Sequence, residues 1–202
     1  RGLAYGDGLF ETMAVRGGRP VLLERHLARV TAGCERLRIG LDGERLRSEV
    51  TAFCAELGQG VAKLIVTRGD GRRGYAPSNG APRHILQSAA MPAYPAQHAE
   101  QGVCLYSCIT RLAEQPLLAG LKHLNRLEQV LARAEWQDAE HAEGLMRDMS
   151  GRVIEGVFSN LFLVAGGALV TADLQRCGVA GVMRAELLEQ ARALGIECQV
   201  RD

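Results

Sequence analysis

Lys122 ends the apolar run Leu117-Leu118-Ala119-Gly120-Leu121 and stands just ahead of a helical pattern opening near Asn125. Lysines are scarce here, and most cations are arginine. An apolar approach desolvates an amine and lowers its pKa, as a Schiff-base lysine requires. The plainer alternative is a surface lysine at an element boundary. Glu155 closes the strand-like Gly151-Arg152-Val153-Ile154-Glu155-Gly156, and Ser159-Asn160 follows it. Gly178-Val179-Ala180-Gly181-Val182-Met183-Arg184 opens a helix, and free amides at such an end form an anion site. His26 and Arg29 lie three apart on another helix, where an inward arginine completes a phosphate site.

Each group alone has a bland reading: a solvated strand-end carboxylate, a glycine-rich helix entrance, a solvent-facing arginine. A lysine, a carboxylate, a helix N-terminus and an arginine together are what pyridoxal phosphate needs. The lysine forms an imine, the carboxylate keeps the pyridine nitrogen protonated, and the amides and arginine bind the phosphate. Gly69-Asp70-Gly71-Arg72-Arg73-Gly74 matches the dinucleotide pattern G-x-G-x-x-G after a strand. The continuation, Tyr75-Ala76-Pro77-Ser78-Asn79-Gly80-Ala81-Pro82, cannot start the helix that such a site requires. The segment reads as a surface loop, or as a basic loop near an anionic substrate through Arg68, Arg72 and Arg73.

The elements that must position these groups follow from periodicity. Leu9 to Val15 alternates as a strand, Gly17-Gly18 turns, and Pro20 to Leu23 begins a second strand of a hairpin. Helices are expected from about Glu24 to Leu37 and from about Glu44 to Leu57. Ala62 to Thr67, His84 to Ala89 and Val103 to Ile109 read as strands, with a long loop from Arg68 to Pro82. A helix follows from Asn125 to about Ala134. Short strands are expected near Gly144 to Asp148, Val153 to Glu155, Leu161 to Val164 and Ala168 to Val170. A helix from about Gly181 to Leu194 precedes a last strand, Ile196 to Val200. Mixing without strict βαβ alternation predicts an α+β fold.

The 202 residues carry 24 Lys plus Arg against 23 Asp plus Glu. This balance and the 4% aromatic content argue against a nucleic-acid binder. No apolar run reaches the ~18 residues of a membrane span. The six cysteines form no Cys-x-x-Cys pair, which points to reduced thiols of a cytoplasmic protein and to no metal. The chain starts at Arg1 without Met and stops at Asp202 directly after a strand pattern, so both ends are expected to be missing.

Five motifs in order carry a family resemblance. They are Tyr5-Gly6-Asp7-Gly8-Leu9-Phe10-Glu11-Thr12, His26-Leu27-Ala28-Arg29, Lys122-His123-Leu124-Asn125-Arg126-Leu127-Glu128-Gln129, Glu155-Gly156-Val157-Phe158-Ser159-Asn160-Leu161-Phe162 and Gly178 to Arg184. The chain resembles the fold-type IV pyridoxal-phosphate enzymes, a family that includes branched-chain and D-amino acid aminotransferases and 4-amino-4-deoxychorismate lyases. The run around Lys122, the Gly71-Arg72-Arg73-Gly74-Tyr75 loop and Met183 are most similar to the lyase branch.

The resemblance implies a small α/β N-terminal domain (1–112), a connection (113–119) and a larger pseudobarrel domain (120–202), incomplete at its C-terminus. It implies pyridoxal 5'-phosphate as cofactor. Lys122 would form the imine and shuttle protons, and Glu155 would pair with the pyridine nitrogen. Arg29 and the amides of Val182 and Met183 would hold the phosphate, with Ser159 or Asn160 helping. Arg111 would meet a substrate carboxylate. The implied substrate is 4-amino-4-deoxychorismate, split into pyruvate and the 4-aminobenzoate used in folate biosynthesis. A homodimer is implied as well. The alternative is a D-amino acid or branched-chain aminotransferase of the same fold.

Overall fold

A computed structural model describes residues 1–77 and 80–201. Ser78 and Asn79 of the expected Arg68–Pro82 loop, and Asp202, lie outside the described residues. In chain order the elements are α1 (Gly2–Tyr5), β1 (Gly8–Arg16), β2 (Arg19–Pro20), α2 (Leu23–Leu37), α3 (Gly43–Leu57), β3 (Gly60–Thr67), β4 (Arg83–Ala89), α4 (Gln97–Gln101) and β5 (Cys104–Leu112). They continue as α5 (Leu127–Arg133), β6 (His141–Asp148), β7 (Val153–Gly156), β8 (Leu163–Ala165), β9 (Ala168–Ala172), α6 (Val182–Ala193) and β10 (Cys198–Arg201). Residues 1–93 with 122–125 form one compact unit, and residues 94–121 with 126–201 form the other.

The first unit is built on an antiparallel sheet of order β2-β1-β3-β4. β1 alternates as its sequence predicts, burying Leu9, Glu11, Met13 and Val15. Leu27, Val30 and Cys34 of α2 are buried on one helical stripe, as are Leu46, Val50 and Cys54 of α3. α2 can approach β1 closely because residue 33 is glycine: a Cβ there would stand 2.7 Å from Leu9 Cδ1. Asp42 caps α3 by accepting from Arg45 N at 3.0 Å. The second strand of the expected hairpin shrinks to Arg19–Pro20, because Leu22 adopts a left-handed backbone (φ 54°) and turns the chain into α2.

Arg68 seals the far end of α2. Its Nη1 and Nη2 donate to Arg38 O and Leu37 O, each at 2.7 Å, while Nε and Nη2 donate to Asp7 at 2.8 and 3.1 Å. The glycine motif at 69–74 is followed by no helix in residues 75–77. Instead Arg1 straps the segment down, donating to the carbonyls of Gly74, Tyr75 and Ala76.

The second unit holds two three-stranded sheets, β5-β6-β7 and β10-β9-β8. β5 runs parallel to β6, and that pairing places it in this unit. Cys108, Leu112, Ala132, Trp136, Met146, Ile154, Leu174 and Cys177 make one core. Gly144 lets Cys108 and Trp136 pack against its backbone, since a Cβ would meet Cys108 Sγ at 2.6 Å and the Trp136 ring at 2.7 Å. α5 starts at Leu127, two residues later than the pattern suggests, because Asn125 spends its side-chain amide on Gly6 O at 3.3 Å. The described cysteines are free. Among the described residues no helix is long and apolar enough to cross a membrane.

Candidate active site

In the first unit Lys122 belongs to a strand-like segment laid along β1. Phe10 N donates to Lys122 O at 2.9 Å, Leu124 N donates to Gly8 O at 3.0 Å, and Leu9 and His123 form an antiparallel bridge. The backbone of Lys122 is thereby fixed, and its Nζ stands 4.4 Å from the centroid of the Phe10 ring. One residue further along β1, Glu11 is 1% exposed. It accepts from Arg29 Nε at 2.8 Å, from Arg29 Nη2 at 2.5 Å, and pairs with His26 Nδ1 at 2.6 Å. Burial by itself would raise the Glu11 carboxyl. The Arg29 guanidinium and the His26 ring outweigh that and hold it below the ordinary glutamate value.

In the second unit Glu155 sits near the end of β7, opposite Met146 of β6, and is 3% exposed. Its Oε2 accepts from Val179 N at 2.8 Å and makes a long 3.5 Å contact with Asn160 Nδ2. Asn160 Nδ2 also donates to Val179 O at 2.9 Å, so this side chain staples the loop before α6 to the carboxylate. Two glycines make the approach possible. A Cβ at Gly178 would stand 2.8 Å from Leu174, 2.9 Å from Ile154 and 3.2 Å from Glu155 Oε2. A Cβ at Gly181 would collide with Asn160 Oδ1. The same loop pairs with Gly120: Gly120 N donates to Gly178 O, and Ala180 N donates to Gly120 O. Gly181 is the N-cap of α6 and supplies no side-chain cap. The amides of Val182 and Met183 precede the first helical bond, Ala185 N to Gly181 O.

Glu155, Asn160 and the amides of Val182 and Met183 are therefore gathered at one loop. Ser159 is held by a second buried acid. Its hydroxyl donates to Glu143 Oε2 at 2.7 Å. Arg111 is exposed on β5, in register with Arg147, and its charge acts on Glu135, whose carboxylate accepts from Ile109 N and Thr110 N. Glu143 and the part played by Glu11 escape sequence reasoning. A glutamate inside a strand looks like a solvated charge, and only its burial shows otherwise. Arg126 is another: its pKa is lowered by burial, against the opposing pull of the Glu155 and Glu128 charges. Among the described residues no cluster could hold a metal ion.

The model for amino-transferase class IV matches residues 8–202, and the chain belongs to this fold-type IV family, whose members are pyridoxal-phosphate-dependent. It is 38% identical to the aminodeoxychorismate lyase of Vibrio harveyi, over 100% of this chain and 75% of that protein. The crystal structure of 4-amino-4-deoxychorismate lyase from Pseudomonas aeruginosa superposes with a TM-score of 0.98 at 69% identity, covering 100% of this chain and 75% of that one. A hypothetical aminotransferase from Mycobacterium tuberculosis, in a PLP-bound form, matches at 28% identity and a TM-score of 0.79, covering 99% and 72%.

The residues present fit that cofactor. A buried carboxylate suits a protonated ring nitrogen, and uncapped amides suit a phosphate.

Proposed function

We propose that this chain is a pyridoxal-phosphate-dependent 4-amino-4-deoxychorismate lyase, converting its substrate into 4-aminobenzoate and pyruvate for folate biosynthesis. The observation that carries this reading is the 69% identity, over the whole chain, with a lyase of that specificity. Bound pyridoxal phosphate supplies an electron-accepting pyridinium conjugated to the substrate's amine nitrogen.

The chain's own groups do the rest. Lys122 Nζ takes the ring proton from the amine-bearing carbon. It then returns a proton to the enolpyruvyl methylene as the carbon–oxygen bond to the ring breaks and pyruvate leaves. The ring becomes aromatic, so the driving force is large and the protein's work is placement and proton control. Glu155 holds the proton on the pyridine nitrogen, and Asn160 and Val179 N fix that carboxylate. The amides of Val182 and Met183 and the guanidinium of Arg29 bind the phosphate. Arg111 is assigned to a substrate carboxylate.

The protein works as a cytoplasmic homodimer. Leu127, Val130 and Leu131 support the dimer, because they expose one apolar face of α5. The free cysteines support a reducing compartment.

The test is pyruvate release from 4-amino-4-deoxychorismate by the purified protein supplied with pyridoxal phosphate. Lys122→Ala is expected to lower the rate by about 10³-fold or more. Full release by that variant overturns the role given to Lys122, and release that depends on an added keto acid overturns the lyase reading.

A further inference from the structure

Glu11 is a buried acid, 1% exposed, that the chemistry above does not use. It lies on the inner face of β1, where Leu9, Met13 and Val15 are also buried. Three bonds hold its two oxygens: Nε and Nη2 of Arg29, and Nδ1 of His26. Both partners stand on α2, three residues apart, so the carboxylate is clamped from one helix. Such a buried pair adds little net stability compared with well-packed apolar residues. Its geometric effect is large, because a fork-to-fork contact fixes the plane of an arginine that otherwise samples many rotamers. The side chain of Arg29 is only 15% exposed, so its direction is set inside the protein. Phe10, the residue before Glu11, is the one whose ring lies beneath Lys122 Nζ and whose amide holds the Lys122 carbonyl.

We propose that Glu11 is a positioning residue for cofactor capture: by fixing the guanidinium of Arg29, it sets the affinity for the phosphate group and not for the pyridine ring. This rests on the reading of Arg29 as a phosphate ligand. Pyridoxal, which lacks the phosphate, separates the two contributions. Apo protein is titrated with pyridoxal phosphate and with pyridoxal, and each Kd is read from the absorbance of the bound chromophore, so no turnover is involved.

Glu11→Gln keeps the shape but not the charge. It is expected to bind pyridoxal phosphate about tenfold more weakly, the size of effect that follows from losing the charge in a bidentate pair. Its Kd for pyridoxal is expected to match the parent protein. Arg29→Gln is expected to lose more, and again only for the phosphorylated ligand. Equal weakening of both ligands by Glu11→Gln overturns the proposal, since a general distortion of the fold would act on both. Weakening by Arg29→Gln without any by Glu11→Gln also overturns it. An unchanged affinity in Arg29→Gln overturns the reading of Arg29 itself. If Glu11→Gln does not fold, Glu11→Asp retains the charge but withdraws it by one methylene, and the same phosphate-selective loss is expected.

Discussion

Glu11 in the first unit and Glu143 in the second are both buried glutamates, 1% and 7% exposed, and they are held in opposite ways. Glu11 is bonded by a guanidinium and an imidazole from a neighbouring helix. Glu143 is bonded by neutral donors from its own sheet and the turn beside it. Its Oε1 accepts from Gly144 N at 2.8 Å and Val157 N at 3.0 Å, and its Oε2 from Ser159 Oγ at 2.7 Å and Phe158 N at 3.4 Å. The first arrangement orients a cation. The second folds the backbone turn between Glu155 and Asn160. One kind of residue, buried in both places, thus supports two different groups of the proposed site, each from one step behind it.

The largest stability effect is expected at Glu143. Glu143→Leu strands three amides and a hydroxyl, and a buried donor without a partner costs about 1–3 kcal/mol. A loss of about 3 kcal/mol or more in denaturant unfolding is expected. A loss below about 1 kcal/mol would mean that the turn does not depend on the carboxylate, and the comparison would fail on that side.

Glu11 is expected to show itself through pH. Its pKa is depressed in the folded protein, so its contribution is fully present above the unfolded value of about 4.3 and fades as pH falls through the lower folded value. The melting temperature of the apo protein should therefore fall on acidification below about pH 4, and Glu11→Gln should flatten that fall. An identical acid profile in the variant would break the contrast between charged and neutral partners.

The smallest effect is expected from Ser159→Ala. It removes one of the four donors on Glu143, worth about 1 kcal/mol in a thermal melt. A strong loss of pyridoxal-phosphate affinity instead would return Ser159 to the phosphate.

Much of the framework was legible because local pattern and tertiary environment agree. Alternation along Leu9 to Val15 and the helical stripes of α2 and α3 survive unchanged, since each buries the face its apolar spacing marks. Disagreements fall where long-range bonds override local preference. Asn125 is drawn to Gly6, and Leu22 is forced into a left-handed turn. α1 and α4, of four and five residues, are too short to leave a periodic signal.

At the candidate site, the kinds of group and their order along the chain are properties of the sequence: a lysine after an apolar run, a strand-end glutamate, a glycine loop entering a helix. Periodicity adds which faces are buried, because a side chain's direction repeats every 2 or 3.6 residues. Partners are another matter. That Ser159 serves Glu143, that Asn160 joins Glu155 to Val179, and that Arg29 is gripped by a glutamate 18 residues earlier were decided by tertiary structure alone. Hydrogen bonds act over about 3 Å in space and carry no period along the chain, so nothing in the spacing of these residues could have announced them.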